Sequence, residues 1–190
     1  MAHYIGIAGT HSTGKTTFTQ LLTEKALEAG LTVTRVGDIA TECQKEGFGI
    51  LKNHTFESTL WIMTAVINAE LKAGLRHDLV IVDRPVQDAL GYLEAALSST
   101  DRQLSSCDRE YLYGLARLHL PRYIANFKTV LDDNIALGPN RDEDREFRTL
   151  VDRTISQVHN ELDINALQLT DEEATLLVGK ISRSLSRASD

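Results

Sequence analysis

The sequence predicts an α/β fold, a three-layer sandwich in which a mostly parallel, five-stranded sheet is covered by helices on both faces. Short apolar stretches alternate with longer segments of helical periodicity, and several of these stretches are apolar throughout. A glycine-rich loop joins the first apolar stretch to a helix. Continuous apolar strands are typical of parallel sheets buried on both sides, and alternating strands and helices build such sheets. The 190 residues suit a single domain over 1–190.

The first half of the chain alternates strands with helices. Apolar residues recur every three or four positions in the helical segments, and glycine ends two of them. Pro85 suits the first turn of a helix, where its missing N–H has no partner to lose. The predicted elements are strand 4–8, a helix of about four turns to Gly30, strand 31–36, helix 56–74, strand 79–82 and a helix from Pro85 to Leu97.

The second half repeats the alternation less regularly. A Ser/Thr-rich loop covers 98–106, and a polar segment containing Gly138-Pro139 extends to Asn140. Thr170-Asp171-Glu172-Glu173 has the pattern of a capping box, which starts a helix. The predicted elements are a helix from Tyr111 to near Pro121, strand 129–131, helix 147–162, strand 166–169 and a final helix through Leu185.

The loop after the first strand has the spacing of a phosphate-binding loop, Gly9-x-x-x-x-Gly14-Lys15-Thr16. Its backbone N–H groups can surround an anion, Lys15 can reach the outer phosphates and the Thr16 hydroxyl can bind Mg²⁺. A plain glycine turn with a solvated lysine is the alternative, and the strand before and helix after the loop disfavour it. The predicted phosphate-binding residues are Gly9, Thr10, His11, Ser12, Thr13, Gly14, Lys15, Thr16 and Thr17.

Asp83 and Arg84 follow the most apolar predicted strand. In parallel sheets, ligands bind beyond the carboxyl ends of the strands, so this pair is expected beside the phosphate loop. Asp83 is predicted to hold the Mg²⁺ shell together with Thr16. Hydrolases usually place Glu after this Asp, whereas Arg84 is a cation suited to an acceptor or a transferring phosphoryl group. In the alternative interpretation the two residues pair with each other or cap the next helix.

Further polar residues are candidates for an acceptor site. Asp38 follows the second strand and can accept a proton from an acceptor hydroxyl, with Glu42 one helical turn later; alternatively Asp38 is a helix cap. Asp88 faces either the acceptor or solvent. Trp61 is either a core residue, which its helical spacing favours, or a stacking platform for a base.

Three arginines lie close together in the segment 138–148, which is predicted to form a short lid. Arg141 and Arg145 are four residues apart and would share one helical face, so both can reach a triphosphate as catalytic cations. The alternative is a solvated helix start with salt bridges, because Asp144 and Arg148 are also four residues apart.

Composition narrows the choice of partners and compartment. Asp and Glu outnumber Lys and Arg by 27 to 20, and the resulting net charge of -7 makes nucleic acid or an anionic membrane an unlikely partner. The two cysteines and six histidines lack metal-ligand spacing. No leader or membrane-spanning stretch is evident, so a cytoplasmic protein with reduced thiols is expected. Assembly as a homodimer is left open.

In motif order, nearly the whole chain resembles the small P-loop kinases of nucleosides and nucleotides, through the loop Gly9 to Thr17, the Asp38 region, Asp83-Arg84-Pro85 with Asp88, and the segment Arg141 to Arg148. It is most similar to the AAA_28-type ATP-binding proteins that include ribosylnicotinamide kinase domains of the NadR type. The resemblance implies ATP and Mg²⁺ as cofactors and a small nucleoside or nucleotide acceptor. It also implies that Lys15 and Thr16 bind phosphates and Mg²⁺, that Arg84 contacts the acceptor or the transferred group, and that Arg141 and Arg145 belong to the lid.

One departure from the NadR type concerns the acceptor side. Relatives of that type resemble Glu-x-x-Arg-Glu after the second strand, whereas this chain has Asp38, Thr41 and Glu42 at these positions. The donor site is unaffected, but ribosylnicotinamide is not established as the acceptor. Two other functions stay open: a nucleotide-dependent switch or ATPase module without a small acceptor, and a kinase acting on nucleic acid. A guanine-reading Asn-Lys-x-Asp motif is absent from the sequence.

Overall fold

The computed structural model describes residues 2–10, 13–131 and 144–188. Four strands and seven α-helices alternate along this part of the chain, with 3₁₀ turns at Leu51–Asn53 and Leu120–Arg122. The elements are β1 (His3–Ala8), α1 (Lys15–Glu28), β2 (Val33–Val36), α2 (Ile39–Lys45), α3 (Phe56–Gly74), β3 (Leu79–Asp83), α4 (Val86–Ser99), α5 (Ser106–His119), β4 (Tyr123–Lys128), α6 (Arg145–Glu161) and α7 (Asp171–Ala188).

The strands form one parallel sheet in the order β2-β3-β1-β4. Its two central strands, β1 and β3, are almost entirely buried, as continuous apolar sequences predict. Side chains of α1 and α7 pack with Ile5, Ile81 and Phe127 on one face, and α3, α4 and α5 pack with Val80 and Val82 on the other. The predicted three-layer α/β fold is therefore confirmed, with four strands instead of five.

Two predicted strands in the second half of the chain are wrong. The edge strand beside β1 is β4 (Tyr123–Lys128). The apolar run at 129–131 follows this strand, and Val130 is 75% exposed. The segment 166–169 makes only an isolated bridge between Leu167 and Phe127. A turn bond from Thr170 N to Gln168 O then bends the chain into α7, so no ladder can extend.

The predicted helices are confirmed, with differences at their ends. Helix α5 begins at Ser106 because Ser105 caps it. The Ser105 hydroxyl accepts a hydrogen bond from Asp108 N at 3.1 Å. At α7 the predicted cap is present, since Thr170 Oγ1 accepts from Glu173 N at 3.2 Å. Among the described residues, no helix combines the length and apolar character needed to cross a membrane.

Gly91 sets the close packing of α4 against α6, the helix that follows the predicted lid. A Cβ there would lie 2.4 Å from Ile155 Cγ1 and 3.0 Å from its Cα. We expect Gly91→Ala to destabilise the protein by about 1–3 kcal/mol through overpacking, lowering Tm by roughly 2–4 °C per kcal/mol. Gly114→Ala in α5 is the matched control, because its Cβ meets no atom within 4 Å. Equal melting temperatures for the two variants would contradict this prediction.

Candidate phosphate-binding site

The loops after all four strands meet at the carboxyl edge of the sheet. Gly9 follows β1, and Thr129 after β4 donates its N–H to Ala8 O at 3.1 Å. Gly37, just after β2, is so close to Asp83 that a Cβ on it would lie 3.4 Å from Asp83 Cβ. Parallel strands bring their carboxyl ends together, so these loops lie side by side at one edge of the sheet, as predicted.

Two of the five non-glycine residues with positive φ in the described part of the chain lie at this edge. Asp38 has φ 63° directly before α2, and Arg84 has φ 69° directly after β3. Left-handed backbone costs about 1–2 kcal/mol in a residue with a Cβ, and such residues are enriched at functional sites. Both residues are among the site residues that the sequence predicts.

The glycines of the loop have the backbone that its shape requires. Gly9 has φ 134°, and a Cβ on it would lie 1.8 Å from Thr129 Oγ1, so a larger residue cannot replace it. Gly14 has φ 85° and precedes α1 without a side-chain cap, which leaves the N-terminal N–H groups of α1 available for an anion. Thr10 is buried, and His11 and Ser12 lie outside the described residues.

Lys15 and Thr16, adjacent in α1, differ in exposure. Lys15 is 6% exposed, with its ammonium donating to Thr10 O and lying 3.5 Å from Thr13 Oγ1. Thr13 Oγ1 also lies 2.7 Å from Thr129 Oγ1, which ties the loop to the end of β4. The Lys15 cation is therefore buried within the loop, whereas Thr16 and Thr17 are exposed at the start of α1.

One carboxylate oxygen of Asp83 accepts a hydrogen bond, and the other has no partner among the described residues. Its Oδ2 accepts from Arg35 NH2 at 2.5 Å, whereas Oδ1 is buried without a hydrogen-bond partner among the described residues. An unpartnered carboxylate oxygen and an exposed threonine hydroxyl are both ligand types that fit Mg²⁺, which prefers oxygen ligands and keeps several waters. Among the described residues, no group of three or more His, Cys, Asp or Glu is placed so that it could hold a metal ion.

Arg84 reaches across the loop entrance. Its NH1 donates to Gly9 O at 3.2 Å and to the Tyr92 hydroxyl at 2.7 Å, and the guanidinium lies 5.1 Å from the centre of the Tyr92 ring. Burial alone would lower the pKa of Arg84, but Tyr92, Asp88 and Asp83 outweigh it and the pKa is raised. Arg84 therefore supplies a permanent positive charge beside the loop.

Asp88 is buried under the loop, 1% exposed, and does not face solvent. Its carboxylate accepts from Gly9 N at 3.2 Å and lies 3.8 Å from Arg84 NH1. Neither Asp83 nor Arg84 has the other as its principal partner, because Asp83 pairs with Arg35 and Arg84 pairs with Asp88. Burial dominates at Asp88 and raises the pKa of its carboxyl to about 7, against the opposing effects of Arg84 and Lys15.

The predicted acceptor residues are spread along α2 and α3. Asp38 is exposed at the start of α2, and its side chain makes no capping hydrogen bond. Glu42 is exposed on α2. Trp61 is partly buried beside Phe48, with ring centres 6.0 Å apart, and packs against the core as its spacing favoured.

A cavity of about 360 Å³ opens at the far end of α2. Its wall is formed by Gln44, the segment 48–53 and Asp144. Arg102 fixes this segment by donating to Lys52 O at 3.0 Å and His54 O at 2.9 Å. The cavity therefore has a fixed wall.

Most of the predicted lid lies outside the described residues, Arg141 among them. Arg145 is the exposed first residue of α6. Asp144 caps α6 by accepting from Phe147 N at 2.9 Å, and it also pairs with Lys52. Arg148 is buried. The described contacts therefore link the end of the lid segment to the cavity wall through Lys52.

Arg35 and Tyr92 are site residues that the sequence analysis missed. Arg35 pairs with Ile81 in the register of β2 and β3, so Asp83 is its diagonal neighbour across the strands. Knowledge of that register would have placed Arg35 at the site. Tyr92 lies two turns into α4 on the face that meets Arg84, a position that helical spacing from Arg84 could have indicated.

Loop, sheet and helices together define a P-loop protein with a nucleotide-kinase-like fold. The chain belongs to the AAA_28 family, whose model, described as an AAA domain, matches residues 4–174. None of the curated proteins compared with the chain matches it.

Solved structures of kinases have the same fold. Deoxyadenosine kinase from M. mycoides, with products dCMP and a flexible dCDP bound, is similar with a TM-score of 0.62 and 14% identity, over 97% of this chain and 99% of that chain. Thymidylate kinase from Candida albicans has a TM-score of 0.60 and 17% identity, over 97% and 92% of the two chains. At these identities the similarity establishes the fold alone.

The NadR protein in complex with NR is also similar, with a TM-score of 0.64 and 16% identity over 90% of this chain. The match covers 46% of the NadR chain, so this chain spans about half its length. The resemblance to NadR-type domains thus extends to the fold of one part of that protein.

Proposed function

We propose that the protein is a Mg²⁺- and ATP-dependent phosphotransferase acting on a small nucleoside or nucleotide-type acceptor. The observation that carries this proposal is Arg84, directly after Asp83, with its guanidinium 3.2 Å from Gly9 O of the phosphate loop. A water-activating Glu would be expected there in a hydrolase. A fixed cation stabilises charge on a phosphoryl group in transfer.

The donor triphosphate is expected to lie across the loop 9–17. Phosphate oxygens would accept from the backbone N–H groups at the start of α1 and from the Lys15 ammonium, in place of its contact with Thr10 O. These contacts hold the γ-phosphate in a fixed orientation. Phosphoryl transfer depends mainly on such positioning and on charge stabilisation.

Thr16 and Asp83 are the residues that would hold Mg²⁺. The exposed Thr16 hydroxyl and the open Oδ1 of Asp83 are oxygen donors of the kind it requires. When bound, Mg²⁺ neutralises charge on the β and γ phosphates. Arg35 keeps Asp83 Oδ2 occupied, which leaves Oδ1 oriented away from that ion pair.

The acceptor is proposed to bind between Asp38 and the cavity at the far end of α2. Asp38 would orient the attacking hydroxyl and accept its proton, since its carboxylate is exposed and has no capping role. The cavity of about 360 Å³ lies in the usual range for small-ligand pockets. Glu42 and Trp61 are proposed to line the acceptor's path.

The remaining features of the proposal follow from the sequence. One domain over 1–190 carries a short lid at 138–148, and Arg141 and Arg145 approach the triphosphate when the lid closes. We infer a cytoplasmic protein, with a net charge of -7 that disfavours nucleic acid and membranes. Homodimer formation is compatible with this arrangement.

Transfer of labelled γ-phosphate from ATP to a panel of acceptors tests the function. The panel comprises nucleosides, nucleoside monophosphates, ribosylnicotinamide and short DNA, each with and without EDTA, and with GTP in place of ATP. We expect label in one class of small acceptor and none after EDTA treatment. Acceptor-independent ATP hydrolysis would contradict the proposal and favour a switch or ATPase module. Label on DNA alone would instead identify a nucleic acid kinase.

Asp38→Asn separates an acceptor-orienting role from a structural one. We expect kcat to fall by about 10²-fold, the scale of general acid–base catalysis, while the Kd for ATP stays unchanged. Folding should be unaffected, because Asn tolerates φ 63° and no capping bond is lost. Steady-state kinetics and ATP titration measure both effects. An unchanged kcat would remove Asp38 from the mechanism.

A further inference from the structure

Asp88 is a buried carboxylate for which the proposed chemistry has no direct use. It lies one turn into α4, 1% exposed, and both of its oxygens face Gly9 N, at 3.2 and 3.4 Å. An uncharged Asn could accept the same hydrogen bond. Burying a charge is costly unless it is paired, so the carboxylate calls for a charge-specific reason.

Arg84 provides that reason. Asp88 contacts the N–H of Gly9, and Arg84 contacts the C=O of the same residue, so the two side chains hold the peptide groups on either side of one Cα. Arg84 and Asp88 are also an i,i+4 ion pair, 3.8 Å apart. Gly9 at φ 134° has a conformation that the chain must hold in place, and this pair does so.

We propose that Asp88 is a positioning residue which, as a carboxylate, holds Arg84 against the entrance of the phosphate loop. It acts through Arg84 and Gly9 and does not touch the donor or acceptor. When Asp88 is protonated, the ion pair with Arg84 is lost, and the hydrogen bonds to Tyr92 and Gly9 O remain on the guanidinium. The activity measurements for this inference rest on the proposed phosphotransferase function, whereas the structural measurements do not.

The surroundings of Asp88 support titration near neutral pH. Burial raises the pKa of its carboxyl to about 7, Arg84 and Lys15 oppose that rise, and Asp83 adds to it. Tyr123 of β4 is also close enough to interact. His54 stacks on Tyr92, and burial lowers its pKa to about 4, so it stays neutral in this range. The nearby core cluster that joins α4 to α6 is apolar, formed by Tyr92, Ala95, Phe147, Val151 and Ile155.

The Gly9 amide proton of the wild-type protein reports Asp88 directly. Because Gly9 N–H donates to the Asp88 carboxylate, its NMR chemical shift should titrate with a midpoint near pH 7, following the carboxyl pKa of about 7. A Gly9 shift that stays constant between pH 5.5 and 8.5 and is also unchanged in Asp88→Asn would overturn the proposal. The wild-type titration requires no catalytic activity.

Asp88→Asn then separates charge from hydrogen bonding. We expect the Gly9 titration to disappear, kcat to fall by about tenfold at pH 8, and the Kd for ATP to change less than about threefold, since a displaced group affects mainly the transfer step. In wild type we expect kcat to fall as pH drops below about 7, because Asp88 becomes protonated. This fall should be absent in Asp88→Asn, and a variant that still shows it would contradict the proposal.

The pH dependence of thermal stability measures the same titration of Asp88 in a second way. Because the folded-state pKa of Asp88 is raised, the stability it contributes is full at low pH and is lost as pH rises through about 7. The Tm of Asp88→Asn minus that of wild type should therefore increase between pH 5 and pH 8. A carboxyl whose pKa is lowered on folding would give the opposite trend.

Glu94→Gln is the matched control, because Glu94 lies on the same helix and pairs with Arg109 away from the loop. It should leave the Gly9 titration and the kcat profile unchanged. If no acceptor is phosphorylated by wild type, the proposed function fails. In that case the Gly9 shift, compared between wild type and Asp88→Asn, still tests the contact between the Asp88 carboxylate and the loop.

Discussion

Lys15→Ala is expected to lower kcat/KM for ATP by about 10³-fold, the scale found when one preorganised charge donor is removed from a phosphoryl-transfer site. The Lys15 ammonium is 6% exposed and lies within the loop, where it donates to Thr10 O. A charge–charge contact is strong in such a water-poor setting. Steady-state transfer of labelled phosphate measures the loss.

Lys25→Ala is the control for Lys15→Ala. Lys25 lies in the same helix and pairs with Asp171 at 2.9 Å on the surface, so its loss should change neither kcat nor KM. Both variants should keep a cooperative thermal transition. Normal phosphorylation by Lys15→Ala would exclude the loop as the donor site and with it the proposed function.

The central part of the fold follows from local sequence patterns. Strands β1 and β3 are largely apolar and buried, and each leads into a site loop, so the sheet centre, Gly9 and Asp83 were predictable together. The edge was not. In β4, Ile124 is 46% exposed and Asn126 and Lys128 are polar, so the strand lacks the apolar signal that 129–131 carries.

Two site contacts that the sequence did not predict join distant parts of the chain. Arg35 and Asp83 are 48 residues apart, and Gly9 and Asp88 are 79 residues apart. A polar residue at a strand end is usually solvated, and nothing local distinguishes Arg35 from such a residue. Asp88 was predicted to face acceptor or solvent because its helix start is predictable from sequence, but the direction of one helical face is set by packing against α6.

The two left-handed residues join fold to function more directly than composition does. Asp38 and Arg84 each follow a parallel strand and each carry a charged side chain at the cost of backbone strain. Glycine would relieve that strain but would remove the charge from the cleft. A charged side chain at each of these strained positions supports their proposed assignment as acceptor-side and transfer-side residues.

Arg84→Lys tests the second assignment, with an expected loss of about 10²–10³-fold in kcat, the magnitude associated with one charge-stabilising group. Lysine keeps the charge and the Cβ, so the backbone at φ 69° is strained to the same degree. It lacks the planar fork that lets NH1 reach Gly9 O while the guanidinium stacks on Tyr92. The Kd for ATP should stay within about threefold, because the loss occurs in transfer.

Arg109→Lys is the matched control for Arg84→Lys. Arg109 also stacks on a tyrosine, 4.3 Å from the Tyr113 ring centre, and also pairs with carboxylates, but it lies on α5 away from the loop. Its replacement should lower stability slightly and leave kcat unchanged. If both variants lose the same activity, the loss at Arg84 reflects packing. If only Arg84→Lys is impaired, the guanidinium acts on the transferring group, and the residue after Asp83 is what separates this site from a hydrolase.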